Sequence, residues 1–245
     1  MRKFAPWVLC ALMVAGLGMA RADTVSFVGV VGSYGTSTTT IGGIVIHAYY
    51  WDSTTNTWKD ANLFGRNQTN DHGLGVCNPV EAGCGTGDGG GDVNELDNAG
   101  QKELISLELP AGYEWVSVQL SSLDKNDSSL ASHWEQGQIW ADSDGVPMGT
   151  TNIGDSIICQ YTPGTSVGCA NVGGTLFEPM VGIVDAGSPY LFFQAKDWKV
   201  DGYTNTNNDY LIMSAVIVQT PEPGSLILLG TGLVGLGTML RKGLR

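Results

Sequence analysis

Positive charge is scarce in this chain. Its 245 residues hold 12 lysines and arginines against 24 aspartates and glutamates, a formal net charge of −12. Half of the bases sit at the ends, as Arg2, Lys3, Arg21, Arg241, Lys242 and Arg245. Between Asp23 and Thr220 only Lys59, Arg66, Lys102, Lys125, Lys196 and Lys199 remain to face 23 of the 24 acids, so that stretch carries about −17. Such a field repels nucleic acid and anionic lipid and favours cations or neutral partners such as glycans. The plain alternative is that the charge serves only to keep the protein soluble.

Catalytic signatures are equally sparse. No phosphate loop, dinucleotide fingerprint or H-E-x-x-H occurs. Of three histidines, His47 falls in an apolar, aromatic strand, while His72 and His133 fall in polar stretches with no partner that the sequence identifies. Gly164-Thr165-Ser166-Val167-Gly168 matches G-x-S-x-G literally, but it follows Pro163 and lies between two cysteines, whereas a nucleophile elbow needs a strand before it and a helix after it. The many acids single out no glycosidase pair. The chain therefore reads as non-enzymatic, with no catalytic residue assigned.

Helical periodicity, fixed-period repeats, Pro-rich linkers and charge blocks are also missing, which excludes a solenoid or propeller and gives no internal boundary. What is present is an all-β pattern: strands over Thr24 to Val31, Ile44 to Trp51, Glu103 to Leu109, Glu114 to Leu120, Gly137 to Trp140, Ser156 to Tyr161, Tyr190 to Ala195 and Tyr210 to Val218. Leu107 and Leu109 alternate with Ser106 and Glu108, and Val116, Val118 and Leu120 with Ser117 and Gln119, so one face is expected buried and one wet. The expected fold is a single jelly-roll-like β-sandwich over residues 23–219, with the polar interval Phe64 to Gln101 forming elaborated loops at one end.

Cysteine is limited to five residues. Cys10 lies in the first apolar run. The other four form two close pairs, Cys77 with Cys84 and Cys159 with Cys169, which read as disulfides in an oxidising envelope. Each closure contributes about 2.5 kcal/mol on the chain-entropy model. The zinc alternative would want C-x-x-C spacing and neighbouring histidines.

Both ends carry export signals. Arg2 and Lys3 precede an apolar run from Phe4 to Met19 and an Ala20-Arg21-Ala22 site for signal peptidase, so residues 1–22 read as a signal peptide. At the other end Pro221-Glu222-Pro223-Gly224 precedes an uncharged apolar run over 225–240 and a basic tail over 241–245. As a helix that run spans about 25 Å at ~1.5 Å per residue, barely enough to cross a bilayer, with Arg241, Lys242 and Arg245 snorkelling to a cytoplasmic surface. A permanent anchor or an apolar core helix are the plain alternatives.

The segment 220–245 resembles the sorting signal of PEP-CTERM proteins, the substrates of exosortases in bacteria with two membranes. Such tails are also catalogued as ice-binding protein C-terminal domains, a label for the shared tail that implies no ice binding. The resemblance implies transient anchoring in the inner membrane, processing by an exosortase-like transpeptidase at Pro221–Gly224, and delivery to the cell surface or an exopolysaccharide matrix. Gly73-Leu74-Gly75-Val76-Cys77, followed by Asn94-Glu95-Leu96-Asp97-Asn98 and an alternating strand, is similar to a block that recurs in PEP-CTERM ectodomains.

Two acidic groups are candidate calcium ligands. Asp88, Asp92, Glu95 and Asp97 supply hard oxygen donors on a glycine-rich scaffold, and Asp142-Ser143-Asp144-Gly145 is half of a D-x-D-x-D-G loop. Asp124 and Asp127 add acids after another strand. The competing role for all of these is turn formation. Calcium together with the rings of Tyr49, Tyr50, Trp51, Trp58, Trp134 and Trp140 would suit a carbohydrate-binding or adhesive module, provided some rings are exposed rather than packed in the core.

Overall fold

The computed structural model describes residues 21–29, 31–68, 71–81, 83–84, 94–98, 101–123, 135–162, 167–175, 178–185, 187–196, 208–220 and 230–232. The strands among them are β1 (Ala22–Ser26), β2 (Gly32–Ser33), β3 (Thr38–Ile41), β4 (Ile44–Asp52), β5 (Thr57–Asp60), β6 (Asn62–Asn67), β7 (His72–Cys77), β8 (Leu96–Asp97), β9 (Glu103–Glu108), β10 (Tyr113–Ser121), β11 (Gly137–Asp142), β12 (Ser156–Tyr161), β13 (Ala170–Gly174), β14 (Pro179–Gly182), β15 (Tyr190–Ala195) and β16 (Asp209–Gln219). They form two antiparallel sheets. One has nine strands, in the order β13-β14-β10-β16-β7-β6-β2 with β1 and β8 also on β16; the other has seven, in the order β12-β11-β15-β9-β4-β3 with β5 on β4. The all-β expectation holds at this level.

The spine is β16. Along one edge it pairs with β10 from Tyr113↔Gln219 to Ser121↔Leu211. Along the other it takes β1 from Ala22↔Val218 to Ser26↔Ser214, then β7 at Ile212↔Leu74, then β8 at Tyr210↔Leu96 and Asp209↔Asp97. Inward side chains of both sheets merge into one core that includes Ile46, Leu107 and Phe193 on one side and Leu63, Trp115 and Tyr210 on the other. The two largest of these keep their polar atoms bonded, as burial requires. The Trp115 indole N–H donates to the Ser188 carbonyl at 2.9 Å, and the Tyr210 hydroxyl to the Gln138 carbonyl at 3.4 Å.

Three expectations change. The interval Phe64 to Gln101 is not only loop: it holds most of β6 and all of β7 and β8. The alternation of β10 breaks at a bulge between Trp115 and Ser117, which turns Val116 out (41 % exposed) and Ser117 in (2 %) while Trp115, Val118 and Leu120 stay buried; an extra residue in one strand shifts every later side chain to the other face. Nor is the outer face of β9 wet, because Leu104 packs there in a second cluster with Trp140, Ile153 and Phe192.

Most of the expected signal peptide 1–22 and of the apolar run 225–240 lies outside the described residues; of the latter only 230–232 are described, as helix. Among the described residues no helix is long and apolar enough to cross a membrane.

Candidate functional site

The site grows from β7, whose sequence His72-Gly-Leu-Gly-Val-Cys contains the glycine block. Gly73 has φ +132°, and a Cβ placed on it would meet the Ile212 carbonyl oxygen at 2.4 Å. At Gly75 a Cβ would come within 2.2 Å of the Asn94 oxygen and 2.7 Å of the Glu95 Cα. Backbone therefore approaches β7 so closely at both positions that only hydrogen fits. Val76 N–H donates to the Glu95 carbonyl at 3.2 Å, docking the segment 94–98 against the strand. That segment is buried throughout, with Asn94, Glu95, Leu96, Asp97 and Asn98 all between 0 % and 7 % exposed.

Arg66 on β6 closes over this segment. Its guanidinium forms a buried ion pair with Glu95, and a second carboxylate, Asp71, lies 3.4 Å away. Glu95 thus answers an internal cation.

Asp97, two residues further on, joins different partners. Its backbone N–H donates to Oε2 of Glu103 at 3.1 Å. Glu103 opens β9 and is fully buried. Glu81 arrives from the turn after β7 that the Cys77–Cys84 disulfide closes with a Cα–Cα distance of 5.1 Å. Its own N–H donates to the Asn78 carbonyl at 3.1 Å, and its Oε1 accepts the Gln101 N–H at 3.4 Å. One carboxylate oxygen each from Glu81, Asp97 and Glu103 fall within 4.8 Å of one another. Burial pushes the Glu103 carboxyl well above its usual range; the carboxylates of Asp97 and Glu81 push it further, opposed only by the Asp97 N–H. Burial also raises Glu81, against the hydrogen bonds from Gln101 and Asn78. Desolvation and like charge both disfavour the ionised form.

Of the first set of expected calcium ligands, then, Asp97 lies in an acidic cluster, Glu95 is turned to Arg66, and Asp88 and Asp92 lie outside the described residues, as do Asp124 and Asp127. Glu81 and Glu103 were missed. Asp142 and Asp144, the second set, make turn bonds. Asp142 Oδ2 accepts the N–H groups of Asp144 at 3.1 Å and Gly145 at 2.6 Å, and Asp144 Oδ1 accepts that of Val146 at 2.9 Å. Asp155 likewise accepts from the Ser143 N–H at 3.0 Å and its hydroxyl at 2.6 Å. The bonds accepted by Asp142 and Asp144 are Asx-type bonds that shape a loop, and those accepted by Asp155 tie that loop to a point twelve residues on.

The rings divide as a strand requires, Tyr50 packing on the main core and Tyr49 on the second cluster. Neither is fully exposed. Trp58 packs beside Tyr49 and donates its indole N–H to the Met148 carbonyl at 2.8 Å, and Trp51 meets Trp58 edge-on at 5.4 Å. Trp140 is buried and Trp134 is outside the described residues. Among the described residues every aromatic side chain is buried or half-buried.

His47 Nε2 lies 2.9 Å from Asp60 Oδ1, its ring stacked on Tyr49 at 4.0 Å. His72 faces Asn67 at 3.3 Å and Glu178 at 3.9 Å; His133 is outside the described residues. Of the G-x-S-x-G match only Val167 and Gly168 are described. Val167 bridges back to Gln160 inside the hairpin that Cys159–Cys169 staples at a Cα–Cα distance of 4.9 Å.

The sorting end is positioned by β16. Thr220 N–H donates to the Gly112 carbonyl at 2.8 Å, so the hydrogen-bonded sheet runs to the residue before Pro221. Pro221, Glu222, Pro223 and Gly224, and the basic Arg241, Lys242 and Arg245, lie beyond the described residues. Comparison with protein families finds the PEP-CTERM protein-sorting motif at residues 219–242, about a tenth of the chain. Neither the curated proteins nor the solved structures gave a match.

Proposed function

We propose that this chain is an exported protein without catalytic activity that an exosortase-like transpeptidase processes at Pro221–Gly224 and releases to the cell surface or into an exopolysaccharide matrix. The PEP-CTERM motif at 219–242 carries the reading, since it marks the chain as an exosortase target. In this view signal peptidase removes 1–22, residues 23–219 form one jelly-roll-like sandwich, and 220–245 holds the chain briefly in the inner membrane.

The geometry of the ends supports it. Cleavage before Asp23 would remove a single residue from β1, and cleavage at Pro221 would remove none from β16. Both cuts fall at the same end of the nine-stranded sheet, where Ala22 pairs with Val218. A folded domain would thus survive both events with its ladder shortened by one pair. Two disulfides and the strongly acidic composition agree with an oxidising, external destination. For the absence of catalysis the support is that the described histidines and loop acids are engaged with carboxylates, amides and backbone N–H groups in ordinary structural bonds.

Mass spectrometry of the exported protein tests the proposal. A C-terminus near Pro221 is expected, and substitution of Pro221 and Pro223 by alanine should leave the chain uncut and membrane-bound. An exported form that still ends in Arg245 would overturn it.

A further inference from the structure

Glu81, Asp97 and Glu103 come from a turn in the nine-stranded sheet, from β8, and from the first residue of the seven-stranded sheet's β9, and they converge although all three carry the same charge. Two of them leave an oxygen unanswered. Glu103 is fully buried, yet only its Oε2 is hydrogen-bonded; Oε1 is sealed from solvent without a partner, and so is Oε2 of Glu81. One residue from Asp97, the amide of Asn98 donates to the Lys196 carbonyl at 2.6 Å while its Oδ1 is likewise buried and unpartnered. Buried acceptors are normally satisfied, so an orphaned oxygen on each of two converging carboxyls, Glu81 and Glu103, points to a missing positive partner.

We infer that Glu81, Asp97 and Glu103 form a calcium site that ties the disulfide-closed turn after β7, β8 and the start of β9 together. The dimensions suit one ion. Oxygens bound at ~2.4 Å from a common centre lie at most about 4.8 Å apart, and calcium takes 6–8 oxygens at ~2.3–2.6 Å; the three carboxylate oxygens fall within 4.8 Å of one another. The donors are all hard oxygens, and the neighbouring cysteines are joined in a disulfide, which argues against zinc. Main-chain carbonyls, the Asn98 amide oxygen or water would complete the shell. The alternative occupant is a proton shared among the carboxyls, which requires no metal.

The experiment uses the purified full chain in detergent, stripped with EGTA and titrated with CaCl2 by calorimetry, with thermal unfolding followed by circular dichroism in parallel. One ion per chain is expected, and a rise in Tm of about 5–10 °C at a hundredfold excess over Kd. In Glu103→Gln the calcium-dependent rise should vanish while the melt in EGTA stays at or above that of the parent, because an amide replaces a carboxyl whose ionised form burial and the neighbouring carboxylates disfavour. Should that variant not fold, Glu81→Gln, at the half-buried member of the cluster, should weaken calcium at least tenfold. No heat and no change in Tm at about 10 mM CaCl2, some tenfold above the ~1 mM weak end of extracellular calcium modules, would overturn the inference in favour of the shared proton. A calcium response retained in Glu103→Gln, or undiminished in Glu81→Gln, would overturn it by placing the ion elsewhere.

Discussion

Replacing Arg66 with methionine tests whether the segment 94–98 is docked as described. The guanidinium pairs with Glu95, and both side chains are only 5 % exposed. Methionine keeps most of the volume and removes the charge, leaving the Glu95 carboxylate buried with no cation. Breaking a buried pair this way costs about 3–5 kcal/mol. For a domain of this size each kcal/mol moves Tm by about 2–4 °C, so Arg66→Met should melt roughly 6–20 °C lower. Glu95→Gln should lose less, about 1–3 kcal/mol, because Asp71 remains 3.4 Å from the guanidinium to hold it. The double replacement Arg66→Met with Glu95→Leu removes both charges and should recover the parent stability or exceed it by about 1–4 kcal/mol. Calorimetric or circular-dichroism melts of these four proteins, together with the single variant Glu95→Leu, close the cycle. An Arg66→Met protein melting within about 2 °C of the parent, with no coupling to Glu95, would refute the reasoning: the pair would be solvated, and the docking that carries Asp97 to Glu103 would fall with it.

The glycine block and the β10 bulge yield two more tests. Gly75→Ala drives a methyl into the Asn94 carbonyl at 2.2 Å, a backbone atom that cannot swing aside, and should destabilise by about 1–3 kcal/mol or more, whereas Gly149→Ala, with nothing within 4 Å, should melt like the parent. Equal melts for the two would mean that β7 is not so closely flanked. Leu120→Ala should cost about 2–5 kcal/mol and Val116→Ala less than about 0.5, since the bulge leaves Val116 41 % exposed and Leu120 at 0 %. A strand that alternated without the bulge would make Val116→Ala the costly change as well.

Much of the fold was legible, and the reason is visible in the strands themselves. All eight expected strands appear, four of them longer than expected, β9 one residue shorter and β1 shifted, from β4, whose Ile44, Ile46 and Ala48 point inward at 0 % exposure, to the eleven-residue β16. Branched and aromatic residues in period two announce a pleated, half-buried ribbon whatever its neighbours do. What failed depended on neighbours. The bulge in β10 is a property of its pairing with β16 and leaves no mark in Val116-Ser117-Val118. The covering of Leu104 depends on Ile153, about fifty positions away. Alternation sends Tyr49 and Tyr50 to opposite faces of β4, but it says nothing of what packs above a face, and here Tyr49 and Trp58 both pack on the second cluster.

The candidate site was legible only in the wrong currency of local density. Asp88, Asp92, Glu95 and Asp97 crowd together along the chain, so sequence reasoning grouped them; yet Glu95 and Asp97 have separate partners, in Arg66 and Glu103. The glycines that make β7 a weak strand by propensity are the same ones its packing needs, because Gly73 and Gly75 admit the backbones of Ile212 and Asn94–Glu95 at distances any side chain would block. That close approach sets Asp97 against β16, opposite Asp209, and within reach of Glu103. Glu81 and Glu103 stand on either side of a glycine-rich insert, 22 positions apart, and nothing in either local pattern distinguishes them from surface acids. Glu103 even heads an apolar strand in the manner of a solvated flank. Only the crossing from one sheet to the other, between β8 and β9, buries it, so the acid that is fully enclosed is the one whose surroundings the chain specifies least locally.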